Sequence, residues 1–202
     1  MSLLFIPAAC ACIIYLITLI IFFMLHIKNK ELNFIEHALS GYALKSTSKL
    51  FIIYLVIMNI GNLLLTLSIF LSAKIQFPIF ITFFFICMII SRIGLGLFKT
   101  NMENEKLTFI SILHYIFAIA NFALMYTIII NVDEIIIQYG QLVKIKMLFD
   151  IYWYAITISL IGVCITMYKF LRMFFGIVER IYIILTNIWL IGISFFLFFI
   201  NI

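Results

Sequence analysis

Charge is what this chain most lacks. Only 10% of its 202 residues are Asp, Glu, Lys or Arg, while 67% are hydrophobic. Its mean hydropathy is +1.31. A soluble domain of this length needs far more polar surface, because its outside meets water. Polar linkers are missing as well: no Gly/Ser-rich stretch, low-complexity tail or internal repeat divides the chain. No dense basic tract interleaved with aromatics is present, so nothing points to nucleic acid as a partner. The net charge of +5 is ordinary for a protein that meets an anionic leaflet. Before the first apolar run there is no Lys or Arg, and the run is too long for the core of a secretory signal, so the first span is expected to be retained. Pro7-Ala8-Ala9-Cys10 resembles a lipoprotein box without its basic leader. Cysteine is scarce, and Cys10, Cys12, Cys87 and Cys164 all lie within apolar runs. Cys10 and Cys12, two residues apart, point to different faces of a helix and read as packing residues rather than a disulfide or metal pair.

What the chain does have is six long apolar stretches, at residues 3–27, 50–73, 75–98, 107–131, 149–169 and 181–201. A helix needs roughly 20 residues to cross about 30 Å of hydrocarbon. The runs are continuous rather than alternating, which selects helices over strands, and a helix satisfies its own backbone in lipid. The expected fold is an all-α integral membrane bundle of six transmembrane helices, one polytopic domain over residues 1–202. Residues 31–44 mix Leu32, Phe34, Ile35 and Leu39 with Lys and Glu, the pattern of a short interfacial helix in the first loop. Lys74, Gln76 and Pro78 mark a tight hairpin between spans 2 and 3, with Pro78 suited to a first helical turn.

Basic residues set the expected orientation. Lys28, Lys30, Lys45, Lys49, Arg92, Lys99, Lys106, Lys169, Arg172 and Arg180 flank the odd loops, while Lys74, Lys144 and Lys146 flank the even ones. The positive-inside rule then places the odd loops in the cytoplasm and both termini outside.

Polar groups within hydrocarbon are costly, so their positions are informative. Asn59, Asn62 and Thr66 share one face of span 2, and Ser111, His114 and Asn121 share a stripe of span 4. Both faces are expected to look into the bundle, either as interhelical hydrogen bonds or as the wall of a polar cavity. His26, His37 and His114 fall on the odd-loop side together with Glu36, Glu103, Glu105, Glu179 and Arg180. Such a cluster suits zinc or acid–base chemistry. However, there is no HExxH and no closely spaced ligand pair, so no metal or cofactor is expected. Ser40 follows His37 by three residues, close enough to meet on a helix. A triad would also need an acid, and Ser40-Gly41 equally well ends a short surface helix.

Three blocks along the chain resemble one known family. The first is Asn33-Phe34-Ile35-Glu36-His37-Ala38-Leu39-Ser40-Gly41-Tyr42-Ala43-Leu44, similar to a loop of the type His-x-x-Ser-x-Tyr-Ala. The second is Gly96-Leu97-Phe98-Lys99-Thr100-Asn101 with Thr108 and Ile112-Leu113-His114, similar to a Phe-Pro-Thr-Asp stretch followed by Gly-x-x-His. The third is Phe175-Gly176-Ile177-Val178-Glu179-Arg180 with Trp189, similar to a Gly-Leu-x-x-Arg turn before a Trp-bearing last span. In this order and spacing they resemble the prokaryotic membrane-protein family called domain of unknown function 998. The chain departs from that pattern at Lys99 and Asn101, where Pro and Asp are expected, and at Ser111, where Gly is expected. An amide at Asn101 cannot serve as a base or balance a cation.

The resemblance implies a multi-span protein whose three blocks meet at one membrane face, and no established reaction. His37, Ser40, Tyr42, Asn101, His114, Glu179 and Arg180 are the candidates for a headgroup-level pocket there, with Arg180 suited to a phosphate or carboxylate. Arg180 and Glu179 read equally well as end-anchors of span 6. The expected function is that of a non-catalytic or lipid-interacting membrane protein with membrane lipids as its partners. The alternatives are a small transporter and an intramembrane hydrolase acting through Ser40 or a metal.

Overall fold

The computed structural model describes residues 5–71, 78–101, 106, 108–138, 143–168 and 170–201. The expected turn at Lys74 and Gln76, the carboxylates of Glu103 and Glu105, and Lys169 lie outside the described residues, as do the side chains of Lys144 and Lys146. Among the described residues there are six α-helices: α1 (Phe5–Lys28), α2 (Ser48–Leu71), α3 (Pro78–Leu97), α4 (Phe109–Gln138), α5 (Val143–Thr166) and α6 (Phe175–Asn201). Among the described residues there is no strand. All six helices are long and apolar enough to cross a membrane.

Burial shows which solvent the helices face. Ile13, Ile20, Leu63, Phe83, Ile90, Ile119 and Ile158 are each more than half exposed. In water such a belt would drive association; acyl chains solvate it without penalty. The inner faces carry the large buried side chains, among them Tyr15, Phe22, Phe85, Ile128, Ile129 and Trp189. Neighbours are arranged around the bundle as α4, α3, α2, α1, α6, α5. Among the described residues the seam between α4 and α5 that would close this ring is the sparsest.

Without a hydrophobic drive between helices in lipid, close approach and buried hydrogen bonds hold the bundle together. The Tyr15 hydroxyl of α1 donates to Asn62 Oδ1 of α2 at 2.8 Å. Asn59 Nδ2 of α2 reaches the Ile89 carbonyl of α3 at 3.5 Å, and Ser91 Oγ of α3 donates to the Phe117 carbonyl of α4 at 2.7 Å. Thr66 bonds back to the Asn62 carbonyl of its own helix at 2.6 Å. The polar stripe of α2 is thus divided between two neighbours, α1 and α3, and does not line one cavity.

Two segments differ from the sequence expectation. The first loop is not helical over 31–44; only Leu39–Leu44 forms a helix, of the tighter 3-10 kind. The reason lies in its asparagines. Asn29 Oδ1 accepts the amides of Glu31 and Leu32 at 3.0 and 3.1 Å, and Asn33 Oδ1 accepts that of Ile35 at 3.0 Å. Such side-chain turns compete with a helical ladder. The chain is folded inward, so Leu39, Tyr42 and Ala43 are buried rather than lying on the surface. The second difference is at α6, which begins at Phe175 rather than near residue 181. Glu179 and Arg180 therefore sit inside a helix and are buried, where a loop position was expected.

A Cβ on Gly94 of α3 would lie 2.5 Å from the Phe117 ring of α4, at the atom nearest that residue's own backbone. Phe117 is itself stacked on Phe98, with ring centroids 5.6 Å apart, so it has no easy way to retreat. Gly94→Ala is expected to push α3 and α4 apart and destabilise the fold by about 1–3 kcal/mol. Unfolding in mild detergent measures this, and an unchanged midpoint would refute it.

Candidate functional site

The odd-loop end of the bundle contains two adjoining arrangements. The first is a strap. Arg180, in the second turn of α6, is almost wholly buried. Its Nε donates to His26 Nε2 of α1 at 2.6 Å, and its Nη1 donates to the carbonyls of His37 at 2.8 Å and Gly176 at 2.7 Å. Its Nη2 donates to the Tyr42 hydroxyl at 3.1 Å, with the guanidinium 5.4 Å from the centre of that ring. His26 suits this role because its Nδ1 proton goes to the Phe22 carbonyl at 2.7 Å, leaving Nε2 as an acceptor. The next residue back, Glu179, accepts the Leu39 amide on Oε2 at 2.7 Å. The Ile177 amide bonds the Ile35 carbonyl at 3.0 Å. Three successive contacts from the start of α6 thus hold the first loop over the bundle.

Gly176 explains how the loop can come so close. A Cβ there would lie 2.5 Å from the His37 carbonyl oxygen and 2.7 Å from that of Phe34. Both are backbone atoms, which cannot step aside as a side chain can.

Beneath the strap is the second arrangement, a partly enclosed cavity of about 90 Å³. Leu39 and Ser40 roof it; α2 contributes Tyr54 and Met58, α3 Arg92, α4 His114 and Asn121, and α6 Glu179 and Tyr182. Arg92 is 5% exposed, His114 1% and Glu179 7%. Arg92 Nη2 donates to Asn121 Oδ1 at 3.3 Å, whereas Nη1 is buried without a hydrogen-bond partner. The Nδ1 proton of His114 goes to the Phe98 carbonyl at 2.6 Å, so Nε2 is again an acceptor. A buried cation with a bare N–H is among the most costly groups in a membrane interior.

The seven candidates from the sequence are not all brought together. Ser40, His114 and Glu179 line the cavity. Tyr42, Arg180 and the carbonyl of His37 belong to the strap, and four N–H donors of Arg180 are already used by the protein. The His37 ring turns to its own Asn33 carbonyl at 3.2 Å and makes no hydrogen bond to Ser40. Asn101 stands apart: its Nδ2 donates to the Lys106 carbonyl at 2.6 Å and its Oδ1 accepts from Thr108 at 3.4 Å, bracing the loop before α4. Ser111 caps α4 reciprocally with Thr108, at 2.9 and 3.2 Å. Of the two polar faces, His114 and Asn121 of α4 meet the cavity, and Asn59, Asn62, Thr66 and Ser111 do not line it. Among the described residues no three His, Cys, Asp or Glu side chains gather to hold a metal ion.

Sequence reasoning undervalued Arg92, treating it as a residue near a span end. The available signal was its isolation: it is the lone charge in twenty residues of α3.

The family model described as Protein of unknown function (DUF998) matches residues 9–195. The chain belongs to this family. No curated protein and no solved structure matches it. The DUF998 match takes in α2 to α5 whole, most of α1 and α6, the strap and every wall of the cavity.

Gly176→Ala is expected to lift the first loop from α6. Amide exchange over residues 33–44 should rise about tenfold or more, the equivalent of the roughly 1–3 kcal/mol of an overpacked contact. Hydrogen-exchange mass spectrometry reads this directly, and unchanged protection there would refute the strap.

Proposed function

We propose that this multi-pass membrane protein binds a membrane-borne amphiphile by its head, with an acidic group seated on Arg92 and the first loop closing over it. The observation that carries this reading is Arg92 Nη1, buried at the cavity with no partner in the protein. An anionic oxygen there would complete a charge-assisted hydrogen bond that the fold leaves unmade. The sparse flank between α4 and its neighbours α5 and α6 supports lateral entry. Among the described residues the hydrogen bonds across that flank join Tyr126 to Thr157 and the Tyr182 hydroxyl to the Phe122 carbonyl, both deeper along α4 than His114. An acyl chain could leave the cavity above them.

Binding is favoured over transport by the other half of the bundle. Leu65, Ile69, Ile81, Phe85, Ile128 and Ile129 are buried there and make its packing largely apolar, with Thr66 and Ser68 of α2 buried as well. Hydrolysis has less support, because Ser40 lacks a hydrogen-bonded base.

Purification in native-lipid particles, followed by lipid mass spectrometry, tests the reading. A phospholipid should co-purify in stoichiometric amount and fall by about tenfold or more in Arg92→Gln, the loss of one charge-assisted bond. Equal lipid in both proteins would overturn it.

We infer the orientation from charge. With Arg92 and Arg180 buried in helices, eight Lys and Arg residues still flank the odd loops against three at the even loops. The cavity then opens toward the cytoplasmic leaflet. In a background freed of the native cysteines, Lys30→Cys should resist an impermeant maleimide on intact cells and react after permeabilisation. Labelling of intact cells would invert the topology.

A further inference from the structure

Arg92 and Glu179 present an arrangement that a simple anion site does not require. Both are more than nine-tenths buried, and both line the same cavity. Yet they do not pair: the one salt bridge among the described residues is Lys45 to Glu31, at the surface. Opposite charges sharing a low-dielectric cavity gain greatly by meeting. Here each is tethered to a different element instead. Arg92 is held by Asn121 of α4 and Glu179 by the Leu39 amide of the first loop. Nη1 of the arginine has no hydrogen-bond partner, and the Leu39 amide occupies only Oε2 of the glutamate.

We propose that the cavity selects a zwitterionic head, with a phosphate or carboxylate oxygen on Arg92 Nη1 and a primary ammonium on Glu179 Oε1. This rests on the binding reading above and names its ligand class. A purely anionic head would satisfy Arg92 and leave the Glu179 carboxylate with Arg180, four of whose N–H groups are given to the strap, as its buried counter-charge. A purely cationic one would satisfy Glu179 and leave Arg92 Nη1 without a partner. A head carrying both charges neutralises the two walls at once, and the low dielectric that penalises a lone ion then strengthens both contacts. The ammonium is specified as primary because the cavity lining holds acceptors besides Glu179, the Ser40 hydroxyl of the roof and His114 Nε2 of α4, and these call for N–H donors. A quaternary ammonium has no N–H to give them. Among membrane lipids this chemistry is that of a phosphoethanolamine head; the free counterpart is glycerophosphoethanolamine.

The test is lipid selection by the purified full chain, stripped in detergent and re-equilibrated with phosphatidylethanolamine, phosphatidylglycerol and phosphatidylcholine at equal concentration. Native mass spectrometry then counts the lipids bound. The wild-type protein should favour phosphatidylethanolamine over each of the others by about tenfold, one charge-assisted hydrogen bond's worth. Glu179→Gln keeps a carbonyl oxygen for the Leu39 amide, so the strap should persist while the preference over phosphatidylglycerol falls toward one. Phosphatidylglycerol or phosphatidylcholine bound as well as phosphatidylethanolamine would overturn the zwitterion, as would an unchanged preference in Glu179→Gln. Failure of the wild type to retain any phospholipid would overturn the binding reading itself. If that variant does not fold, the three-lipid comparison on the wild type decides alone. Glycerophosphoethanolamine added in excess separates the sources. Displacement of the lipid only at high excess supports the membrane lipid, and binding of the soluble compound in preference to it would overturn the lipid source.

Discussion

The buried guanidinium of Arg180 is the contact on which the odd-loop face depends. One side chain from α6 reaches α1 through His26, the first loop through the His37 carbonyl, and the 3-10 helix through Tyr42. Only a planar group with several fixed donors can join three segments in this way. Gly176 is the matching steric condition, because any side chain there would displace the His37 carbonyl that Arg180 binds, together with that of Phe34. Together they turn a loop that would otherwise lie on the membrane surface into a roof.

The cavity exists because the roof has something to cover. Glu179 belongs to both arrangements: it accepts the Leu39 amide and also faces the cavity occupied by Arg92, His114 and Asn121. A ligand at Glu179 would therefore be felt at the loop through one shared carboxylate. The adjacent Glu179 and Arg180 divide the work. The arginine gives four of its five N–H donors to the protein, whereas the Leu39 amide occupies only Oε2 of the glutamate. The roles expected from charge alone are thus partly exchanged, for it is Arg92, deeper in α3, that is left with an unpaired donor.

Much of the fold was legible without coordinates. Six unbroken apolar runs allow little besides six helices in lipid, because a backbone without water must bond to itself. Pro78 marked the start of α3, and the stripe of Ser111, His114 and Asn121 marked a face of α4. The site was less legible. His37, Ser40, Tyr42, Glu179 and Arg180 do gather at one end, but two different jobs divide them, and Asn101 only braces its own loop. Periodicity reports which face a residue occupies. It is silent on whether a donor on that face is already taken.

Composition and the spacing of apolar runs were enough to determine the solvent and the number of helices, and the residues of three short blocks carried the resemblance to DUF998, since each depends on local chemistry. Only the tertiary structure decided which polar groups are satisfied and which are bare. Arg180 and Arg92 are the same residue type, each buried in an apolar helix. One meets a histidine, a tyrosine and a carbonyl drawn from distant parts of the chain, while the other meets one asparagine and a cavity. That difference comes from side chains more than a hundred residues apart brought within hydrogen-bonding reach, and no local pattern along the chain encodes it.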